Sequence, residues 1–262
     1  MGKHSQGLTT YFTSQLEADV YVEKAASCLK ENNFKKALDL CIEGLQSYPD
    51  DTFLMTSAGV ALCSLGKYRD AEDYFYRVAT LSPFDPQAQY NMALCLFAQG
   101  SVRQTDEMLQ FFERALKIDP ENYSCRTDYG IALKETGSPK AAKEEFLKVL
   151  KDKPLYARAH SNYGIIRYEE GSRDKITERH LQFAWERDHN FYQAGYALAL
   201  LHVRNGKTNK AVTVGDAAAR SARYYGDFET AQKLYDLLPQ LPKEYGPPAE
   251  APYTINVPFL TV

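Results

Sequence analysis

The amino-acid sequence predicts an all-α protein built from repeated helical hairpins, an α-solenoid, and three observations carry that prediction. Two ladders of residues share one spacing, a glycine or asparagine turn divides every unit, and a proline closes most of them. The first ladder is Pro49, Pro83, Pro120, Pro154 and finally His189, at steps of 34, 37, 34 and 35 residues. The second, Ala25, Gly59, Ala93, Gly130, Gly164 and Ala199, consists of small residues and keeps the same rhythm. In such repeats a unit cannot bury its apolar face alone, so neighbours stack.

Each element follows from local pattern. Ser14 and Glu17 make an S-x-x-E capping box, which predicts that the first helix opens there and that residues 1–13 are a loose leader ahead of a solenoid over 14–224. Units near 18–51, 52–85, 86–122, 123–156, 157–191 and 192–224 then divide at "ENNFKKA", "LGKYRDA", "AQGSVRQ", "ETGSPKA", "EEGSRDK" and "RNGKTNK". Apolar-periodic stretches on both sides of such a turn give a helix, a tight turn and a second antiparallel helix. In the second unit, Gly59 and Ala71 let the helices approach, while Leu62, Tyr68 and Phe75 fill the space between them. Proline after the second helix ends it by denying helical geometry to the residue before.

This pattern resembles the tetratricopeptide repeat, a unit of about 34 residues. In the second unit the family's small positions are matched by Gly59, Gly66 and Ala71, its aromatics by Tyr68 and Phe75, and its closing proline by Pro83. The resemblance implies a right-handed solenoid of about six units from about Ala18 to about Arg223. Departures are informative. Unit three carries three extra residues near "QTDEMLQFF", which predict a longer second helix or a bulged turn. Unit five places Arg173 and His180 at the usual aromatic positions, which predicts a weaker core. Unit six extends its second helix and is followed by a capping helix over 225–238.

Composition restricts function. A formal charge of -3 supplies no field for a phosphate backbone, so nucleic acid is not expected as a partner. No stretch reaches the roughly 20 apolar residues that span a bilayer, and the start lacks the layout of a secretory signal. A cytoplasmic protein, reaching a membrane only through a partner, is the expectation. Cys28, Cys41, Cys63, Cys95 and Cys125 contain no CxxC pair and read as buried thiols.

Catalytic motifs are missing. "NGKT" at Asn205–Thr208 copies the end of a phosphate loop, but Leu201 stands where its first glycine is required, so it reads as a hairpin turn. The histidines have no ligand spacing, and two of them alone do not make a metal site. His160 and His180 read as a buried neutral pair in unit five. The expectation is a noncatalytic protein with no cofactor and no metal.

The first helices of the units line the concave surface of such a solenoid. Projection at 3.6 residues per turn collects Phe53, Tyr90, Asn91, Leu94, Phe97, Asp128, Ile131, Arg158, Asn162, Ile165, Tyr168, Tyr196, Leu200, Val203 and Arg204 there. That wall is mostly apolar and aromatic, suited to a peptide-like or helical segment of a protein partner. In the family it resembles, a clamp for heat-shock chaperone tails needs Lys or Arg with Asn, then Asn, then Lys with Arg in successive units. Here Asn91 is followed by Ser124 and Asp128, and Asn162 by Gln193 and Ala197, so no carboxylate clamp is implied. Asn91 and Asn162 either hydrogen-bond an extended ligand backbone or merely solvate the groove.

The last 24 residues, 239–262, hold half of the 12 prolines, which excludes helix and predicts a semi-rigid arm. It ends in "YTINVPFLTV", where Tyr253, Ile255, Val257 and Phe259 alternate onto one apolar face that calls for a docking surface in this protein or a partner. The functional expectation is an interaction scaffold or adaptor within a larger assembly. A chaperone or assembly factor for hydrophobic secretion or pilus subunits, and a noncatalytic subunit of an enzyme complex, are the alternatives.

Overall fold

In the computed structural model, residues 3–100 and 102–238 are described, with side chains from Glu17 onward except that of Val102. The tail residues Tyr253, Ile255, Val257 and Phe259 lie outside the described residues. Thirteen α-helices and one 3-10 turn make up the described chain, with no strand among them. The chain divides into two compact units, one up to Cys125 and one from Arg126.

The first unit holds α1 (Lys3–Lys30) with α2 (Phe34–Ser47), α3 (Thr52–Ser64) with α4 (Tyr68–Leu81), and α5 (Pro86–Gln99) with α6 (Thr105–Ile118). Helix α1 starts eleven residues before the Ser14 capping box, so most of the expected leader is helical. A capping box is worth about 1 kcal/mol and is only a local preference; no proline between residues 3 and 13 forbids helix from continuing through it. The extra length of the third hairpin forms the 3-10 turn Val102–Gln104, leaving α6 at 14 residues, the same as α2 and α4. The bulged turn is therefore the form taken.

The second unit holds α8 (Pro139–Asp152), α9 (Ala157–Glu169) with α10 (Lys175–Arg187), α11 (Tyr192–Arg204) with α12 (Thr208–Tyr224), and α13 (Phe228–Leu237). The boundary between the units falls within α7 (Tyr123–Glu135).

Local chemistry sets these bounds. Asp51, Asp174 and Asp227 each cap a helix by accepting a hydrogen bond from a backbone N–H three residues on, at 2.8–3.0 Å. At the hairpin turn between α3 and α4, Gly66 sits at φ 73°, the Gly66 N–H donates to the Cys63 carbonyl and the Lys67 N–H donates to the Leu62 carbonyl. That is a Schellman closure, and the same long-reach bond returns at Asn33, Ser138, Ser172, Lys207 and Asp227. In the first hairpin Asn32 takes the left-handed place at φ 58°. At the other end, Tyr48, Ser82 and Lys153, each followed by proline, leave helical geometry with ψ between 65° and 74°.

Small residues bring paired helices together. A Cβ at Gly59 would meet the Phe75 ring at 2.7 Å, one at Gly130 would meet Phe146 at 2.7 Å, and one at Gly164 would meet Leu181 at 2.9 Å. Leu54, Met55, Phe75, Met92 and Phe112 anchor the first core, and Phe146, Ile166, Leu181 and Leu198 the second. Helix α13 covers the end of the second core: Ala231, Leu234 and Leu238 join its cluster, and Leu238 occupies the space that a Cβ on Gly215 would need.

Candidate functional site

The surface expected from the first helices is assembled differently in the two units. In the first, Phe53 is 67% exposed on the opening turn of α3 and Phe97 is half-buried near the end of α5. Tyr90, Asn91 and Leu94 are buried instead, because burial along α5 runs without a break from Ala88 to Leu96. Tyr90 leans on the Phe112 ring of α6, with centroids 6.2 Å apart. Asn91 accepts a hydrogen bond from Gln87 Nε2 at 2.7 Å, one turn back on its own helix.

In the second unit Asp128 is 2% exposed and ion-paired with Arg158, whose side chain keeps 31% of its surface. Such a pair cannot be broken cheaply, since removing one partner strands a buried charge. Asn162 Nδ2 donates to the Arg158 carbonyl at 2.8 Å, so both groove amides are engaged within their own helices. Ile131 is half-buried. Ile165, Tyr196 and Leu200 pack on the core cluster while keeping partial exposure, and Val203 and Arg204 are exposed. Tyr168 is 8% exposed beneath Arg204. The surface the second unit presents is thus a short apolar and aromatic strip on α9 and α11 that ends in arginine.

Two histidines of α9 and α10 form a hydrogen-bonded pair. His160 Nε2 donates to the Pro154 carbonyl at 2.9 Å, which makes its Nδ1 an acceptor for the Nδ1–H of His180 at 2.8 Å. Desolvation depresses both imidazoles, that of His180 to about 4, with the neighbouring His160 as a further cause. Phe183 and Tyr163 pack against the pair at 4.3 and 4.7 Å between ring centres. The five cysteines are free and buried; burial pushes Cys41 up to about 12, and a hydrogen bond with Cys95 together with burial raises Cys63. Among the described residues no group of three or more His, Cys, Asp or Glu is placed to hold a metal ion.

A second feature escaped the sequence reading. Trp185, Leu198, His202, Lys210 and Val214 line a pocket of about 370 Å³ bounded by α10, α11 and α12. His202 is 4% exposed, and its Nδ1 stands 3.8 Å from Glu178 Oε1 without a hydrogen bond. Glu178 is held instead by Lys207 at 2.7 Å. The available signal was the position of His202 four residues after Leu198, on one face of α11.

Comparison with known proteins bears on the fold. A family model described as tetratricopeptide repeat matches residues 57–123. The human protein O-mannosyl-transferase TMTC3 is 24% identical over 201 residues, which cover 75% of this chain and 21% of that protein. The chain spans about a fifth of the length of the curated relatives it matches. Among solved structures, PilF of Pseudomonas aeruginosa is 14% identical with a TM-score of 0.72, covering 86% of this chain and 99% of that one. PilW, a type IV pilus biogenesis factor, is 16% identical with a TM-score of 0.68, covering 83% and 97%. No described helix is long and apolar enough to cross a membrane. The hairpins and their common spacing make the described chain an all-α helical-repeat protein, with a match to the tetratricopeptide repeat over residues 57–123.

Proposed function

We propose that the chain is a noncatalytic interaction scaffold that holds an extended or helical segment of a partner protein on the faces of its first helices, within a larger assembly. The observation that carries this reading is the partly exposed strip of Ile165, Tyr196, Leu200 and Val203 on α9 and α11. Aromatic and aliphatic surface left partly open on a rigid helical frame supplies contact area at low entropic cost. In the first unit Phe53 on α3 and Phe97 on α5 are separate, partly open apolar side chains. The test is site-directed photocrosslinking in the native source, with a photoreactive phenylalanine at position 200 or 53. A discrete partner band is expected from these positions and not from position 76, an exposed site on the second helix α4. Bands arising only from position 76 would overturn the reading.

Two further readings have support of their own. The fold likeness to PilW favours an assembly factor that shields hydrophobic subunits, and suppression of the aggregation of such a subunit would select it. The partial match to TMTC3 favours a noncatalytic subunit of an enzyme complex, which co-purification with a transferase activity would select. In this role the tail docks through Tyr253, Ile255, Val257 and Phe259 on this protein or a partner, and the scaffold acts in the cytoplasm.

A further inference from the structure

Tyr168 and Arg204 meet where α9 and α11 end, with the guanidinium carbon 4.6 Å from the ring centre. The Tyr168 hydroxyl is buried and has no hydrogen-bond partner among the described residues. A native structure seldom leaves such a group unpaired without a reason. The next turn joins the cluster, since Asn205 Nδ2 donates to the Arg173 carbonyl at 3.5 Å and brings the two hairpin turns side by side. Burial raises the Tyr168 pKa, while Arg204 and Arg173 pull it down and Tyr196 raises it, so all three bear on this hydroxyl.

The nearby acids are committed elsewhere. Glu169 pairs with Lys134 at 3.2 Å, Glu170 with Lys143 at 2.5 Å and Asp174 with Arg167 at 2.5 Å. Among the described residues, neither Arg173 nor Arg204 has an ion-pair partner. An unsatisfied hydroxyl, the Arg204 guanidinium over its ring and, on the adjoining hairpin turn, Arg173 therefore stand at the end of the apolar strip. All the missing contacts call for one kind of group, an acceptor with negative charge and two oxygens.

We propose that Tyr168, Arg173 and Arg204 form a subsite for the carboxylate of an acidic side chain on the partner segment. Arg204 rotates off the ring face, the hydroxyl donates to one carboxylate oxygen, and the guanidiniums donate to both, a geometry that a planar fork suits better than an ammonium. Tyr196 and Leu200 receive the residues flanking that acid. The subsite lies six residues beyond Asn162 on α9 and seven beyond Ala197 on α11, away from the positions of a chaperone-tail clamp. It rests on the scaffold reading above and specifies the chemistry of the segment.

The test uses the ¹⁵N-labelled full chain and sodium acetate as probe, with sodium chloride at equal ionic strength as the reference. Acetate is expected to shift the Nε–Hε signals of Arg173 and Arg204 saturably, and chloride is not. Arg204→Gln and Tyr168→Phe should each weaken the acetate affinity about fivefold or more. Tyr168→Phe should do so with no loss of thermal stability, because it removes an unpaired buried hydroxyl. Unsaturable shifts, equal shifts with chloride, or shifts that survive both substitutions would overturn the subsite. Saturation by methyl phosphate at a tenth of the acetate concentration would also overturn it, in favour of a phosphorylated side chain. Crosslinking from position 200 reports separately: a captured partner with no acetate binding removes the subsite and keeps the scaffold, whereas acetate binding with no capture removes the scaffold.

Discussion

Gly59 shows how one residue sets the spacing of two helices. Its hydrogen occupies the place where any side chain would run into the Phe75 ring, which is itself fully buried and has nowhere to move. Gly59→Val is expected to destabilise the protein by about 3 kcal/mol in urea unfolding, and Gly66→Ala, in open space but at φ 73°, by about 1 kcal/mol. The histidine pair makes a prediction of a different kind. The His180 imidazole is held neutral down to about pH 4 in the fold but titrates near 6.5 when unfolded, so only the unfolded chain takes up the proton in between. Its contribution is intact above pH 6.5 and is lost as the pH falls towards 4. Unfolding free energies at pH 7.5 and pH 5 should differ by about 1 kcal/mol on this account, after allowing for the solvent that still screens the ring. His180→Phe should flatten that difference; an unchanged slope would mean that other groups carry it.

Helices in this protein begin and end by short-range chemistry repeated from unit to unit. Asp51 accepts from the Leu54 N–H at 2.8 Å and satisfies a donor that helix α3 cannot. Asp51→Ala is expected to cost about 1 kcal/mol, and Asp51→Asn almost nothing, as read from thermal unfolding. The unit-five hairpin tests the importance of the aromatic positions. With His180 at one of them, the pair is closed by the bond to His160 and by flanking rings rather than by a single large side chain. The turn at Gly171 that joins α9 to α10 keeps the same closure, with the Ser172 N–H reaching the Arg167 carbonyl at 3.0 Å. The helix pair therefore survives a change of core chemistry because its turn does not depend on it.

Within each compact unit, stacking makes the hairpins depend on their neighbours, and the last described helix seals a core that would otherwise be open. Leu238 packs into the gap beside Gly215, so Leu238→Ala should destabilise by about 2–4 kcal/mol in chemical unfolding, although it lies at the end of the described chain. The proposed tail docking is tested here as well. Deleting residues 246–262 is expected to change thermal stability, oligomeric state or partner capture, and three unchanged measurements would eliminate it.

Repeat length, hairpin turns and helix stops were readable along the chain because each depends on near neighbours: a left-handed turn residue, a proline, an aspartate three residues before the N–H it caps. The start of α1 at Lys3 was less readable, since a capping box states a local preference that a longer helix can override. Exposure on the first helices could not be read at all, because it depends on side chains brought in from other segments. Tyr90 and Leu94 carry the same periodicity as Leu200, yet the packing around α5 buries them while α11 leaves Leu200 partly open. Asp128 finds its countercharge in Arg158, 30 residues away, and Tyr168 meets Arg204 at a distance of 36 residues. Periodicity assigns a residue to a side of its helix; burial and charge pairing on that side come from the folded neighbours.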